Sequence, residues 1–112
     1  MKKIEAIIRP ERLNEVRKAL EASGYPGIMI TDIQGHGKQK GAVQQWRGEE
    51  YRVDLISKVK VEIVVNDQDV NRLIDTICDC AKTGQVGDGK IFVYDVVEAV
   101  RIRTGELGEI AV

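Results

Sequence analysis

Val59, Val61, Ile63 and Val65 alternate with Lys58, Lys60, Glu62 and Val64. A period of two in a stretch rich in β-branched residues predicts a strand with one apolar face. Leu13, Val16 and Leu20 recur at helical spacing, with Pro10 suited to the first turn and Gly24 to the end. Val70, Leu73, Ile74, Ile77 and Ala81 predict a second helix that starts near Asn66-Asp67. The chain also partly repeats. Lys3-Ile4-Glu5-Ala6-Ile7-Ile8 lies over Lys60-Val61-Glu62-Ile63-Val64-Val65, Leu13 over Val70, Asn14 over Asn71, Val16 over Leu73 and Leu20 over Ile77. Each half reads as strand, amphipathic helix, Gly-containing turn and second strand.

Two tandem βαβ halves predict an α+β fold of the ferredoxin-like type, βαββαβ. Both helices would cover one face of a four-stranded antiparallel sheet. The opposite face would carry Lys3, Glu5, Ile7, Lys60, Glu62 and Val64. That mixture is too apolar for a solvated surface and too charged for a dry core. It is expected to line a partly wet interface between identical chains, for which a closed ring is the usual solution.

The 112 residues are enough for one domain, 1–112, with 43% hydrophobic and 31% charged residues. A formal net charge of −1 gives no basic field for nucleic acid or anionic lipid. The apolar run near the N-terminus is too short for a signal peptide and no stretch approaches a membrane span, so a cytoplasmic location and no direct membrane insertion are expected. Cys78 and Cys80 fall two apart in a predicted helix, where their side chains diverge, so two free thiols are expected, one of them packed in the core. His36 is the only histidine and has no Cys or carboxylate cluster beside it.

Residues 37–55 lack a clean period. A connection of about nineteen residues is long for so small a domain, and such loops are mostly functional or disordered. It holds Trp46 and Tyr51 next to Arg47 and Arg52, a composition suited to protein contact. An extension of the flanking hairpin strands from Val43 to Val53 is the alternative reading.

The most informative stretch is Thr83-Gly84-Gln85-Val86-Gly87-Asp88-Gly89-Lys90-Ile91-Phe92-Val93. Glycines allow positive φ and close backbone approach to a ligand. Successive N–H groups in such a turn form an anion nest, and Lys90 adds a point charge suited to phosphate. It is not a Walker loop, since no Ser or Thr follows the Lys and no helix opens there. By itself the stretch is equally compatible with half of a nucleotide phosphate site and with a Gly-rich turn that holds no ligand.

With these residues in view, the chain resembles the PII signal-transduction proteins along its whole length. The resemblance rests on Trp46-Arg47-Gly48-Glu49-Glu50-Tyr51, on the Gly-rich stretch, and on Arg101-Ile102-Arg103-Thr104-Gly105-Glu106. It implies a homotrimer of ferredoxin-like subunits with nucleotide sites in the clefts between neighbours. ATP and ADP would compete there. With Mg²⁺ and ATP bound, 2-oxoglutarate would bind at the base of the long loop. The loop would then report energy and carbon/nitrogen status to an ammonium channel or to nitrogen-metabolism enzymes and regulators. A channel partner would recruit the protein to the inner face of the membrane.

The resemblance assigns Ile7, Gly35, Gly37, Lys38, Glu62, Val64, Gly87, Asp88, Gly89, Lys90, Arg101 and Arg103 to nucleotide binding. Arg101 and Arg103, read as neighbours on one side of an extended tail, would reach the phosphates from the adjacent subunit. Lys38 keeps the charge of a position that is often Arg but loses the bidentate fork. Gln39 would be the Mg²⁺ ligand through its side-chain oxygen. Gly37, Gln39, Lys40, Gly41 and Lys58 would form the 2-oxoglutarate site, with Lys58 on the distal carboxylate. Tyr51 matches a tyrosine that a uridylyltransferase modifies, and Trp46, Arg47 and Tyr51 match partner contacts. Glu49 stands where some relatives carry a phosphorylated Ser. Met29 stands where many carry a Thr that contacts adenine.

Competing readings are weaker. An ATP hydrolase or kinase would need a base and nucleophile constellation, and only Asp88 lies near the Gly-rich stretch; the chain is therefore expected not to be an enzyme. An adenylate-ratio sensor without a 2-oxoglutarate response is the nearer alternative. A metal-binding trimer lacks a Cys/His cluster.

Overall fold

The computed structural model describes residues 1–36, 43–46, 49–52 and 55–112. Its elements run β1 (Lys2–Ile8), α1 (Leu13–Ala22), β2 (Met29–His36), β3 (Val43–Trp46), β4 (Glu49–Arg52), β5 (Leu55–Val65), α2 (Val70–Ala81) and β6 (Gly89–Asp95). The main sheet has the order β2-β5-β1-β6 with antiparallel neighbours throughout. The first strands of the two repeat halves, β1 and β5, therefore pair at the centre. The second strands, β2 and β6, form the edges. This is the ferredoxin-like arrangement expected from the repeat.

The apolar positions of the pattern form the core. Ile4, Ala6 and Ile8 of β1 and Val59, Val61, Ile63 and Val65 of β5 pack against Val16 and Leu20 of α1 and Leu73, Ile77 and Ala81 of α2. Burial contributes about 1.5–3 kcal/mol for each large aliphatic side chain. Both helices begin later than the pattern suggests. Short 3₁₀ turns at Pro10–Arg12 and Asp67–Asp69 come first, because the N–H groups of Leu13 and Val70 bond three residues back to Pro10 and Asp67. At the end of α1, Gly24 takes φ 93°, which lets its N–H reach Glu21 O and the Tyr25 N–H reach Leu20 O. The Tyr25 hydroxyl then donates to Asp69, which also accepts from Arg72 at 3.1 Å, and so ties the first half to the second.

The second face of the sheet is set by register. Lys3 lies opposite Val64, Glu5 opposite Glu62 and Ile7 opposite Lys60, all half-buried, while Phe92 and Tyr94 extend the same face on β6 and Met29 on β2.

One expectation gains detail and one is corrected. The connection between the halves contains an antiparallel ladder, β3 with β4, in which Val43 pairs with Arg52 and Trp46 with Glu49. Among the described residues it forms a two-stranded sheet of its own. Backbone pairing of two adjacent short segments needs little loop closure and no buried face, so it leaves no period in the sequence. The tail around Arg101 and Arg103 is not extended. Gly105 takes φ 74°, its N–H reaches Arg101 O at 2.7 Å, and Val100 bridges back to Leu107. Arg101 opens a turn and Arg103 lies within it, and the alternation that would align them does not apply. The thiols follow the expected division: Cys78 is exposed and Cys80 packs against the core.

Candidate functional site

The Gly-rich stretch is the turn that carries the chain from α2 into β6. Gly89 opens β6 with φ 105°, and a Cβ there would lie 1.7 Å from the Ile7 carbonyl oxygen. Only glycine fits where the turn crosses β1. Gly87 has φ 101°.

Asp88 organises the turn from inside. Its carboxylate accepts from the Thr83 N–H at 2.8 Å, the Gly84 N–H at 2.9 Å, the Thr83 hydroxyl and Arg9 Nε at 3.0 Å. The Thr83 hydroxyl above all, then the Thr83 N–H, Arg9 and the Gly84 N–H, hold this carboxyl well below the usual carboxylate range. Arg9 makes a second bond to the turn, from NH2 to Val86 O at 3.0 Å. Lys58, on β5, donates its ammonium to Gly87 O. Burial, followed by the nearby Arg9 charge, pushes the Lys58 pKa down.

The carbonyls of Val86 and Gly87 are therefore both turned toward cations. In a planar trans peptide the C=O of one residue and the N–H of the next point in opposite directions. The N–H groups of Gly87 and Asp88 consequently point away from Arg9 and Lys58. The exposed Lys90 follows two residues later, opposite Ile7. N–H dipoles turned away from the cations that hold the carbonyls suit an anion. An apolar cavity of about 310 Å³ lies behind the turn, between α2 and the start of β6, with Ile7, Ile77, Gly89 and Ile91 among its walls.

The described residues expected in the nucleotide site, with Lys58 of the 2-oxoglutarate site, form three groups within one chain. Ile7, Lys58 and Gly87-Asp88-Gly89-Lys90 lie together at one end of the sheet. Gly35, on β2, lies toward the same end, opposite Ile56. Glu62 and Val64 lie further along the open face; Val64 pairs with Lys3, four residues from Ile7, or roughly 13 Å at strand rise. There Glu62 accepts from Lys3 at 3.0 Å and lies 3.8 Å from Lys60, which is 3.5 Å from Glu5. Glu5 and Glu62 are cross-strand partners, an arrangement that repels by itself, and the two lysines offset it. A hydrogen bond from Tyr94, then the Lys60 charge, lowers the Glu5 pKa. Met29 is the cross-strand partner of Glu62.

Arg101 and Arg103 belong to the third group, past the far end of β6, where the Val96 N–H bonds Met1 O. Arg101 is held by Glu106 at 2.7 Å and by Ile110 O at 2.7 Å. Among the described residues no hydrogen bond joins either arginine to the Gly-rich turn. Gly37, Lys38, Gln39, Lys40, Gly41 and Arg47 lie outside the described residues. Trp46 and Tyr51 are on β3 and β4, where Tyr51 pairs with Gln44.

The family pattern described as nitrogen regulatory protein P-II matches residues 1–106, the Gly-rich turn and most of the C-terminal hairpin included. This chain belongs to the P-II family. It is 55% identical over 112 residues to nitrogen regulatory protein P-II 2 of Methanothermobacter thermautotrophicus, covering 100% of this chain and 97% of the relative. It is 53% identical to the nitrogen regulatory protein P-II of Pasteurella multocida and 52% to nitrogen regulatory protein P-II 1 of Escherichia coli strain K12, in both cases over 112 residues and 100% of each chain. These P-II relatives are named as regulatory proteins, and none of the three names states an enzymatic activity.

Arg9 was not legible as a site residue. Its acceptor Asp88 is 79 positions away, and the only local signal is Pro10, which keeps Arg9 extended at φ −64°, ψ 138°.

Proposed function

We propose that this chain is a nitrogen-regulatory sensor that works as a homotrimer, binding ATP or ADP and, with Mg²⁺ and ATP, 2-oxoglutarate. The observation that carries the reading is the turn at Gly87 and Asp88, whose N–H groups face away from the two cations that hold the Val86 and Gly87 carbonyls. Such a turn fits a phosphate. Glu62 and Val64 lie further along the same face, where the rest of a nucleotide would extend, and Arg101 and Arg103 lie past the far end of β6, so the reading needs a neighbour to supply the arginines. The open face with Phe92, Tyr94 and Val64 is the surface on which subunits would meet.

Gln39 would supply an oxygen to Mg²⁺, and Gly37, Lys38, Lys40 and Gly41 would complete the phosphate and 2-oxoglutarate contacts. When bound, Mg²⁺ neutralises phosphate charge and links it to oxygen ligands. Lys58 already donates to Gly87 O, and an ammonium carries three N–H donors. One ammonium can therefore hold the turn and a carboxylate together. Coupling between nucleotide and 2-oxoglutarate is reciprocal, and about 1–3 kcal/mol corresponds to roughly 5–150-fold in affinity. The 37–55 segment would pass this state to an ammonium channel or to nitrogen-metabolism enzymes through Trp46, Arg47 and Tyr51. Tyr51 would be the acceptor for a uridylyltransferase.

Calorimetric titration of 2-oxoglutarate, once with Mg·ATP and once with ADP, tests the reading. Binding with Mg·ATP alone is expected. Lys58→Met should abolish the 2-oxoglutarate heat, whereas ADP, which loses only the hold on the Gly87 carbonyl, should weaken by about tenfold at most. Equal loss of both ligands would contradict the role of Lys58, and absence of 2-oxoglutarate binding in the unsubstituted protein would leave an adenylate-ratio sensor.

A further inference from the structure

Three consecutive residues of the Gly-rich turn are held by two cations from other strands of the fold. Arg9, just past β1, takes the Val86 carbonyl and the Asp88 carboxylate, each at 3.0 Å. Lys58, from β5, takes the Gly87 carbonyl between them. The Arg9 side chain is 17% exposed and that of Asp88 24%, so the pair is largely shielded from water. A fork with two separated acceptors fixes orientation as well as distance. We propose that Arg9 is a positioning residue for anion binding: it locks the Val86 carbonyl and the Asp88 carboxylate, which, with Lys58 on the Gly87 carbonyl, turns the Gly87 and Asp88 N–H dipoles away from both cations before any ligand arrives.

This inference rests on the proposed anion-binding role of the turn and deepens it. Arg9 acts through geometry, not through its field. Its charge is matched by the Asp88 carboxylate, so the pair presents little net charge to a phosphate. The attraction comes from the N–H groups and Lys90. Without Arg9, the Val86 peptide loses its acceptor bond and Asp88 loses one of its four donors, while Thr83 and Gly84 remain on the carboxylate. The turn would then persist as a turn but sample other peptide orientations. The ligand would have to select the competent one, which lowers apparent affinity by the fraction populated.

Two readouts test this. The first is amide hydrogen exchange in the ligand-free protein. Arg9→Met should speed exchange of the Thr83 and Gly84 amides, which the Asp88 carboxylate holds, by about tenfold or more and leave β1, β5 and α2 unchanged. The second is calorimetric affinity for Mg·ATP and for ADP, both expected to fall about tenfold, with Arg9→Lys intermediate because one ammonium cannot span both acceptors. The Arg9→Met, Asp88→Asn double variant should lose no more than the worse single variant, as expected for two groups acting as a unit. Unchanged exchange in the turn, or exchange accelerated equally throughout the core, would overturn the proposal. So would additive losses in the double variant. If Arg9→Met does not fold, Arg9→Lys is judged by the same exchange pattern. Failure of the unsubstituted protein to bind either nucleotide would refute the proposed function, and the exchange readout would still judge the clamp.

Discussion

Asp88 shows how much one side chain does at the smallest scale. A carboxylate with four donors is stabilised in its charged form, so its folded pKa lies below the unfolded value of about 3.9. The sign of the linkage follows. Stability from this group is fully present above the unfolded pKa and is lost as pH falls through the folded one. Urea midpoints measured from pH 7 down to pH 3 should therefore fall below about pH 4, and Asp88→Asn should flatten that decline. A variant with the same acid slope as the unsubstituted chain would show that Asp88 is not the group responsible. The sequence marked Asp88 as part of a ligand loop. The structure gives its side chain an internal role and turns its backbone N–H away from Lys58.

At the scale of elements, the junction of α2, the turn and β6 is the place with least tolerance. Gly89 combines a positive φ with a backbone oxygen where any Cβ would stand. Gly89→Ala must displace β6 from β1 or distort the turn. A loss of roughly 2–4 kcal/mol is expected from backbone strain together with the clash, read as a lower urea midpoint. Gly24 offers a contrast, since a Cβ there meets nothing within 4 Å and only its positive φ resists substitution. The strands and helices themselves were legible, because alternation in β5 and helical spacing in α1 and α2 are local patterns. The β3–β4 ladder and the C-terminal hairpin were not. Both are short, and the bonds that define them, such as Val43 with Arg52 or Val100 with Leu107, join backbones and not a patterned apolar face.

For the whole molecule, the open face of the sheet is the surface that the single chain does not account for. Phe92 is 46% and Tyr94 47% exposed beside a charge network that is already paired within the chain. A paired network can enter an interface with little further rearrangement, whereas unpaired charges could not. In the proposed trimer, Phe92→Asp should place an unpaired charge at the subunit contact. Light scattering should then give a monomeric mass, where the unsubstituted chain gives three times that mass. A monomer for the unsubstituted chain would remove the intersubunit nucleotide site altogether, since Arg101 and Arg103 would have no turn to reach.

The amino-acid sequence by itself determined the repeat, the two helices, the central strands, the core and the identity of the open face. Each of these follows from periods of two or 3.6 residues, which are written locally along the chain. The Gly-rich stretch and its family resemblance were equally local. The tertiary structure alone decided which cations hold that stretch. Arg9 meets Asp88 across 79 positions and Lys58 meets Gly87 across 29, because the register of β1 with β5 and β6 brings their ends to one place. A pairing set by register between distant strands leaves no trace in the spacing of residues along the chain, and it is this pairing that turns a glycine-rich turn into an oriented row of donors.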